Sequence, residues 1–240
     1  LQLFPLDATV AERWFYFPMV GILGMIGVFI SVYSIRLKNK WSIIFIILIL
    51  LTLSVRTIVR SFDWRDQFIL YTHDIQISRD AYDMENGISY ELIKQRKLQE
   101  AKIHAERSIQ LFPYLTNYNT LGLIYMNLKE YKKAKDAYLN ALQFGDYYLT
   151  YERIAALSLV YGSSDENRQF IHDALKKFPQ SSSLWGYLAI IEYRAGNNAA
   201  AEDAIKQAML YGRNETILYL YNIIVNSQPL DINFAEDENL

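Results

Sequence analysis

The chain changes its polarity pattern near residue 62. From Trp14 to Ile35 the sequence WFYFPMVGILGMIGVFISVYSI runs twenty-two residues without a charge, and WSIIFIILILLTLSV, residues 41–55, runs fifteen more. About twenty apolar residues let a helix cross a hydrocarbon core of roughly 30 Å. The pattern predicts two transmembrane helices, 14–35 and 41–60, forming a hairpin over 14–61, with residues 1–13 outside the membrane. The second uncharged run is short, and Arg56 extends it by sending its guanidinium to the interface along an apolar stem. Beyond a connector at 62–81, apolar residues recur at three- and four-residue spacing, the period of helices with one buried face. The whole chain is expected to be all-α.

Details of the first stretch agree with a lipid setting. Trp14, Phe15, Tyr16 and Phe17 stand where amphipathic rings favour the headgroup layer, and Pro18 falls in a first turn whose amides lack internal partners. Gly21, Gly24 and Gly27 make a small-residue stripe that would admit a neighbouring helix. The positive-inside comparison sets Arg36, Lys38 and Lys40 of the short loop against Arg13, Arg56, Arg60 and Arg65, and it fixes no orientation. Arg56 and Arg60 are four apart, hence on one helix face, where they either anchor the helix at the interface or hold a lipid phosphate. The second span and the lack of a small-residue cleavage pattern argue against a signal peptide. The chain begins at Leu1 and not at methionine, so a longer parent protein is expected.

The amphipathic part repeats at 33 to 34 residues. In the clearest copy, residues 115–147, Tyr118, Leu121, Gly122, Tyr125, Ala134, Tyr138 and Ala141 occupy the places of the tetratricopeptide signature. Gly122 and Ala134 let two helices cross closely, while Leu121, Tyr125 and Tyr138 fill the seam. Residues 82–114 carry Ile88, Leu92, Leu98, Ala101, Ala105 and Ile109 and stop at Pro113. Residues 148–181 keep Tyr151, Ile154, Ala155, Ala174, Leu175 and Pro179 but set Asn167 where alanine is usual, so looser packing is expected there. Residues 182–215 have Trp185, Leu188, Ala189, the turn Gly196-Asn197, Ala201, Ile205 and Ala208. A capping helix at 216–227 would close the repeat domain, 82–229, as solenoids require. Residues 230–240 make an acidic tail expected to be disordered.

Such a solenoid presents the first helix of each repeat on its concave side, where it holds a peptide or protein. The groove positions are Asn86, Tyr90 and Lys94; Asn119, Leu123 and Asn127; Glu152 and Ala156; and Ile190, Tyr193 and Arg194. Lys94, Asn119, Asn127 and Arg194 are only a partial set for clamping a peptide carboxylate, so a general protein-binding groove is the stronger expectation.

Catalytic chemistry is hard to find. A net charge of −2 with interspersed signs gives no electrostatic reason to expect nucleic-acid binding. The absence of cysteine excludes disulfides, thiolate metal sites and cysteine nucleophiles. His73, His104 and His172 lack metal-ligand spacing. No glycine-rich phosphate loop occurs, and Ser181-Ser182-Ser183 is a helix start and not a nucleophile elbow. Asn214-Glu215-Thr216 fits the N-glycosylation tripeptide. No catalytic residue, metal or cofactor is expected within these repeats.

The stretch PLDATVAERWFYFPMVG, residues 5–21, followed by a hairpin, a Trp-containing connector and tetratricopeptide repeats, resembles the C-terminal portion of the transmembrane-and-tetratricopeptide protein O-mannosyltransferases. Those are multi-span glycosyltransferases of the GT-C type, with bacterial relatives. Ala11, Glu12, Arg13, Tyr16, Pro18 and Gly21 match the family's A-E-R-x-x-Y-x-P-x-x-G stretch. The resemblance implies a multi-pass membrane protein with its repeats on the extracytoplasmic side near the acceptor protein. It also implies a parent enzyme that uses a polyprenyl-phosphate sugar and a divalent metal. The catalytic acidic residue of the family lies in an early loop that this sequence does not include. Under this reading Arg13 or Arg56 neutralises a lipid-linked phosphate, Glu12 orients Arg13, and Tyr16 and Arg60 lie nearby; membrane lipid is then a partner too. The alternative is a membrane-tethered scaffold that assembles other proteins.

Overall fold

A computed structural model describes residues 16–32, 40–63, 65–78 and 80–230. They form twelve α-helices and, among the described residues, no strand: α1 (Tyr16–Val32), α2 (Lys40–Asp63), α3 (Gln67–Ile77), α4 (Tyr82–Lys94), α5 (Leu98–Leu111), α6 (Leu115–Asn127), α7 (Tyr131–Leu142), α8 (Tyr148–Leu157), α9 (Ser164–Lys177), α10 (Ser182–Arg194), α11 (Asn198–Tyr211) and α12 (Glu215–Val225). The chain divides into two units, Leu1–Phe112 and Pro113–Leu240.

In the first unit, no described helix is long and apolar enough to cross a membrane, so the described residues do not show the expected spans 14–35 and 41–60, parts of which lie outside them. α1 has 17 residues, about 25 Å of helix. α2 has 24, but Lys40 opens it, and Arg56, Arg60 and Asp63 fall in its last turns. Large apolar side chains of both helices are nevertheless bare, among them Val20, Leu23, Phe45, Leu48 and Leu51.

The expected connector at 62–81 contains a helix of its own, α3. The Asp66 carboxylate accepts from the amides of Phe68 at 2.7 Å and Ile69 at 3.2 Å, capping two of the donors a helix start leaves unpaired. α3 packs on α4 through Tyr71, whose ring lies where a side chain on Gly87 would stand. The pair α4–α5 buries Ile88, Leu92, Ala101 and Ala105. Two serines sit in its seam: Ser89 Oγ donates to Ala101 O at 2.8 Å, and Ser108 Oγ to Tyr82 O at 2.6 Å.

The second unit stacks the pairs α6–α7, α8–α9 and α10–α11 and ends on α12. Small residues recur where two helices of a pair cross: Gly122 and Ala134, Ala155 and Asn167, Ala189 and Ala201. The helices on either side are closed by apolar residues such as Leu184, Leu188, Ile205, Leu220 and Ile224. α4, α6 and α10 end in one kind of turn. After α6, Lys129 is left-handed at φ 60; its amide bonds to Met126 O, and the Glu130 amide to Tyr125 O, at 2.9 Å each. This is the hydrogen-bond pattern of a Schellman stop, which satisfies carbonyls left over at a helix end.

α8–α9 departs from that rule. α8 is only ten residues long, and the chain turns on to Gly162 at φ +99. Asn167, in place of the usual alanine, is 7% exposed and its Nδ2 donates to Ser158 O at 2.9 Å and Tyr161 O at 3.0 Å. The looser packing expected at Asn167 is therefore replaced by a staple: a buried amide satisfies carbonyls that a longer α8 would have paired itself.

Candidate functional site

The first helices of the pairs in the second unit, which the repeat pattern predicts to line its groove, are α6, α8 and α10. Two side chains tie these helices together. Arg153 of α8 donates from its guanidinium to Asn119 O of α6 at 3.0 Å, and Arg194 at the end of α10 donates to Leu159 O at 2.7 Å. Partial burial lowers the pKa of Arg194, since desolvation disfavours the charged form.

The expected groove residues divide into available and committed groups. Leu123 and Ala156 are half-buried, whereas Ile190 is buried in the core of the last repeats and is not available to a ligand. Asn127 is half-buried, with Nδ2 donating back to Leu123 O at 2.8 Å. Glu152 accepts from Tyr148 Oη at 2.9 Å, and Ser181 Oγ lies 3.0 Å from the same hydroxyl. Tyr193 Oη donates to Gln228 O at 2.7 Å, so its hydroxyl holds the chain after α12. Asn119 departs from the expectation: it is 4% exposed, and its amide donates to Leu115 O at 3.0 Å and Thr150 Oγ1 at 2.8 Å. It joins two helices where a peptide contact was expected. In the first unit Lys94 pairs with Glu91 at 2.7 Å and lies over the Tyr90 ring.

In the first unit Asn86 is half-buried, with its Oδ1 buried and without a hydrogen-bond partner, and Tyr90 is exposed. Arg56 is exposed on α2. Glu12 and Arg13 lie outside the described residues, as do the side chains of Tyr16 and Arg60. Among the described residues no three His, Asp or Glu converge to hold a metal ion.

The signature positions lie in the helix seams. Leu121, Ala134, Tyr138, Ala141, Leu188, Ala201 and Ala208 are buried, Gly122 is covered, and Tyr118, Tyr125 and Trp185 are half-buried. Trp185 Nε1 donates to Pro179 O at 2.8 Å, and Tyr118 stacks on Phe144 with ring centres 5.8 Å apart.

Three groups were missed at the level of sequence. Tyr187, between Tyr148 and Glu152 in charge influence, is pushed up to about 12, chiefly by burial. Glu192 is 5% exposed and accepts from Arg168 Nε at 2.6 Å and Asn197 Nδ2 at 2.7 Å. Asp146 Oδ1 accepts from Lys177 at 2.5 Å and Tyr151 Oη at 2.5 Å, and its pKa is lowered by those two bonds. The repeat period itself contained part of this signal, because Glu192 holds the seam place of Leu92 and Tyr125, where a carboxylate demands a partner.

No family model matches the chain. Over 142 residues it is 25% identical to the protein O-mannosyl-transferases Tmtc3 of Drosophila melanogaster and TMTC3 of Homo sapiens; the match takes in 58% of this chain and 15% of theirs. The described helices are similar to YrrB, a TPR protein with an unusual peptide-binding site (TM-score 0.53, 14% identity, 69% of this chain and 95% of that one). They are also similar to PilF of Pseudomonas aeruginosa (TM-score 0.59, 14% identity, 73% and 81%). These likenesses establish the fold. The chain therefore carries a tetratricopeptide helical-repeat portion like that of the protein O-mannosyl-transferases, and spans a small part of their length.

Proposed function

We propose that the chain is the acceptor-binding repeat module of a membrane glycosyltransferase that draws its sugar from a polyprenyl phosphate. The similarity to the protein O-mannosyl-transferases over the repeats carries this reading. The first helices α6, α8 and α10 support the binding half of it: half-buried Leu123 and Ala156, with the Glu152 carboxylate on the same α8, suit a protein segment with apolar anchors. That a similar fold in YrrB has a peptide-binding site agrees.

α1 and α2 serve, in this reading, as a lipid-embedded hairpin. Support comes from the uncharged runs 14–35 and 41–55 and from side chains such as Leu48, 62% exposed, which water solvates poorly and lipid solvates well. The repeats then stand on the extracytoplasmic side, with Arg13 or Arg56 near a lipid-linked phosphate and Glu12 orienting Arg13.

The chain has no cysteine, so Asn127→Cys in the full-length protein gives a single reporter in this segment. Labelling by a membrane-impermeant thiol reagent in intact cells is expected. Protection that vanishes on lysis would transfer the reading to a membrane-tethered scaffold. Arg13→Ala should abolish sugar transfer; full activity would make Arg13 an interfacial anchor only.

A further inference from the structure

We infer that the second unit selects a protein segment by its positive charge, and that Glu152 of α8 is the residue that takes the lysine or arginine side chain. This rests on the acceptor-binding reading above and names the chemistry of the segment bound.

Carboxylates of this unit that leave open water are paired with a base, with one exception. Among its described residues the acids that are buried or half-buried are Glu130, Glu152, Glu192 and Glu202. Glu130 pairs with Lys133, Glu192 with Arg168 at 2.6 Å and Glu202 with Lys206 at 3.0 Å. Glu152 has no such partner; its side-chain bond is to the Tyr148 hydroxyl, which donates to Oε1 at 2.9 Å. A carboxylate that has lost part of its water without gaining a counter-ion has the most to gain from a cation brought by a ligand.

The adjacent base is turned elsewhere. Arg153 donates to Asn119 O of α6 at 3.0 Å, and its charge is felt by Tyr138 of α7. Glu152 is instead tied towards α10. The Leu184 amide donates to Ser181 Oγ at 3.1 Å, Ser181 Oγ lies 3.0 Å from Tyr148 Oη, and Tyr148 donates to Glu152. The protons of this chain therefore run one way, from Leu184 through Ser181 and Tyr148 to the carboxylate. Such a chain polarises its members and holds the acid in place, yet it occupies Oε1 alone. Oε2 is bonded to none of the described residues and is not buried. Tyr187 of α10 stands within charge influence of both Glu152 and Tyr148, and burial keeps its phenol neutral. The two phenols add aromatic surface, which attracts cations, and no competing charge.

The equivalent places in the neighbouring pairs offer no such group. One repeat before Glu152 stands Asn119, whose amide is spent on Leu115 O and Thr150 Oγ1. One repeat after it stands Gly186, against which Ile217 packs. Ala156, one turn on from Glu152 and on the same face of α8, is half-buried and gives apolar contact beside the charge. A single, fixed negative group with one open acceptor suits an ammonium or a guanidinium. An acidic segment would meet like charge there, and a neutral one would gain no ion pair.

Peptide binding to the full chain in phosphatidylcholine nanodiscs tests this by fluorescence anisotropy. Three labelled peptides share a frame of alanine, leucine and serine and differ only at the central residue, which is lysine, glutamine or glutamate. The lysine peptide should bind about tenfold more tightly than the glutamine one, and the glutamate peptide most weakly. Glu152→Gln keeps an acceptor for Tyr148, so thermal melting should be unchanged. It should bring the lysine peptide down to the glutamine peptide's affinity and leave the latter as it was. Asp203→Asn removes an exposed charge from α11 and should leave the lysine preference intact. Equal binding of the lysine and glutamine peptides to the unaltered chain would overturn the inference. So would a preference that survives Glu152→Gln, or one that Asp203→Asn removes as well. In those results the binding module stands and only its selection for charge falls. Binding of none of the three at millimolar concentration would overturn the module reading itself, and this inference with it.

Discussion

Repeats two and three meet one packing requirement in opposite ways. In α6–α7, the Tyr138 ring lies directly over Gly122: a methyl group there would stand 2.3 Å from the ring. In α8–α9 the corresponding pair is Ala155 and Ile171, both fully buried, and in α10–α11 it is Ala189 and Ile205. Bulk lost on one helix is regained on the other, as close packing demands. The same two repeats differ at the second small position, where Ala134 packs and Asn167 hydrogen-bonds. The seam thus selects a total volume and a full set of satisfied polar groups, and the identity of each residue follows from its opposite number.

The largest expected effect comes from overfilling the glycine side. Gly122→Leu should unfold repeat two, at a cost on the order of 3 kcal/mol or more; unchanged thermal melting would show the register to be wrong. Gly122→Ala should itself destabilise by about 1–3 kcal/mol, which is contrary to the tolerance alanine enjoys at this place in other repeats. Combining it with Tyr138→Ile gives repeat two the pair found in repeats three and four. Denaturant titration should then find the double variant more stable than the sum of the two single losses.

A smaller effect tests the staple. Asn167→Ala restores the usual residue yet should destabilise by about 1–3 kcal/mol, because the Ser158 and Tyr161 carbonyls lose their donor. A neutral or stabilising result would mean that α8 can simply lengthen. Next, Arg168→Ala should cost about 1–2 kcal/mol by leaving the Glu192 carboxylate with Asn197 alone, whereas the same change paired with Glu192→Leu should recover most of it. The smallest effect lies at Asp146. Its folded pKa is lowered by Lys177 and Tyr151, so its stabilising contribution is present above the ordinary carboxylate value. It is lost as pH falls through the lower folded one. Lys177→Met should flatten that acid limb of the stability profile and change little at neutral pH; an unaltered acid limb would remove Asp146 from it.

Much of this was legible from residue spacing. The 33- to 34-residue period places the paired helices because small residues at Gly122, Ala134, Ala141 and their equivalents mark crossings that nothing larger could occupy. α3 was not legible as an element, although Asp66 ahead of QFILYTHDIQI is a capping signal. Its length of eleven residues and the adjoining uncharged run hide it in what reads as a connector. Of the groove, the helices that line it could be told from the period, but the fates of their polar residues could not. Asn119 and Asn127 are the same residue type on the same helix, about two turns apart. Only the approach of Thr150 from the next helix commits the former to the core.

Periodicity along the chain, then, was enough to specify helices, pairing and seam positions, since helix geometry converts spacing into direction without reference to anything distant. Which polar groups are spent within the molecule depended on the tertiary structure. So did the closing of a short α8 by Asn167. Bonds such as Lys177 to Tyr151 and Arg194 to Leu159 join residues 26 and 35 apart, and that adjacency exists only once the helices have stacked.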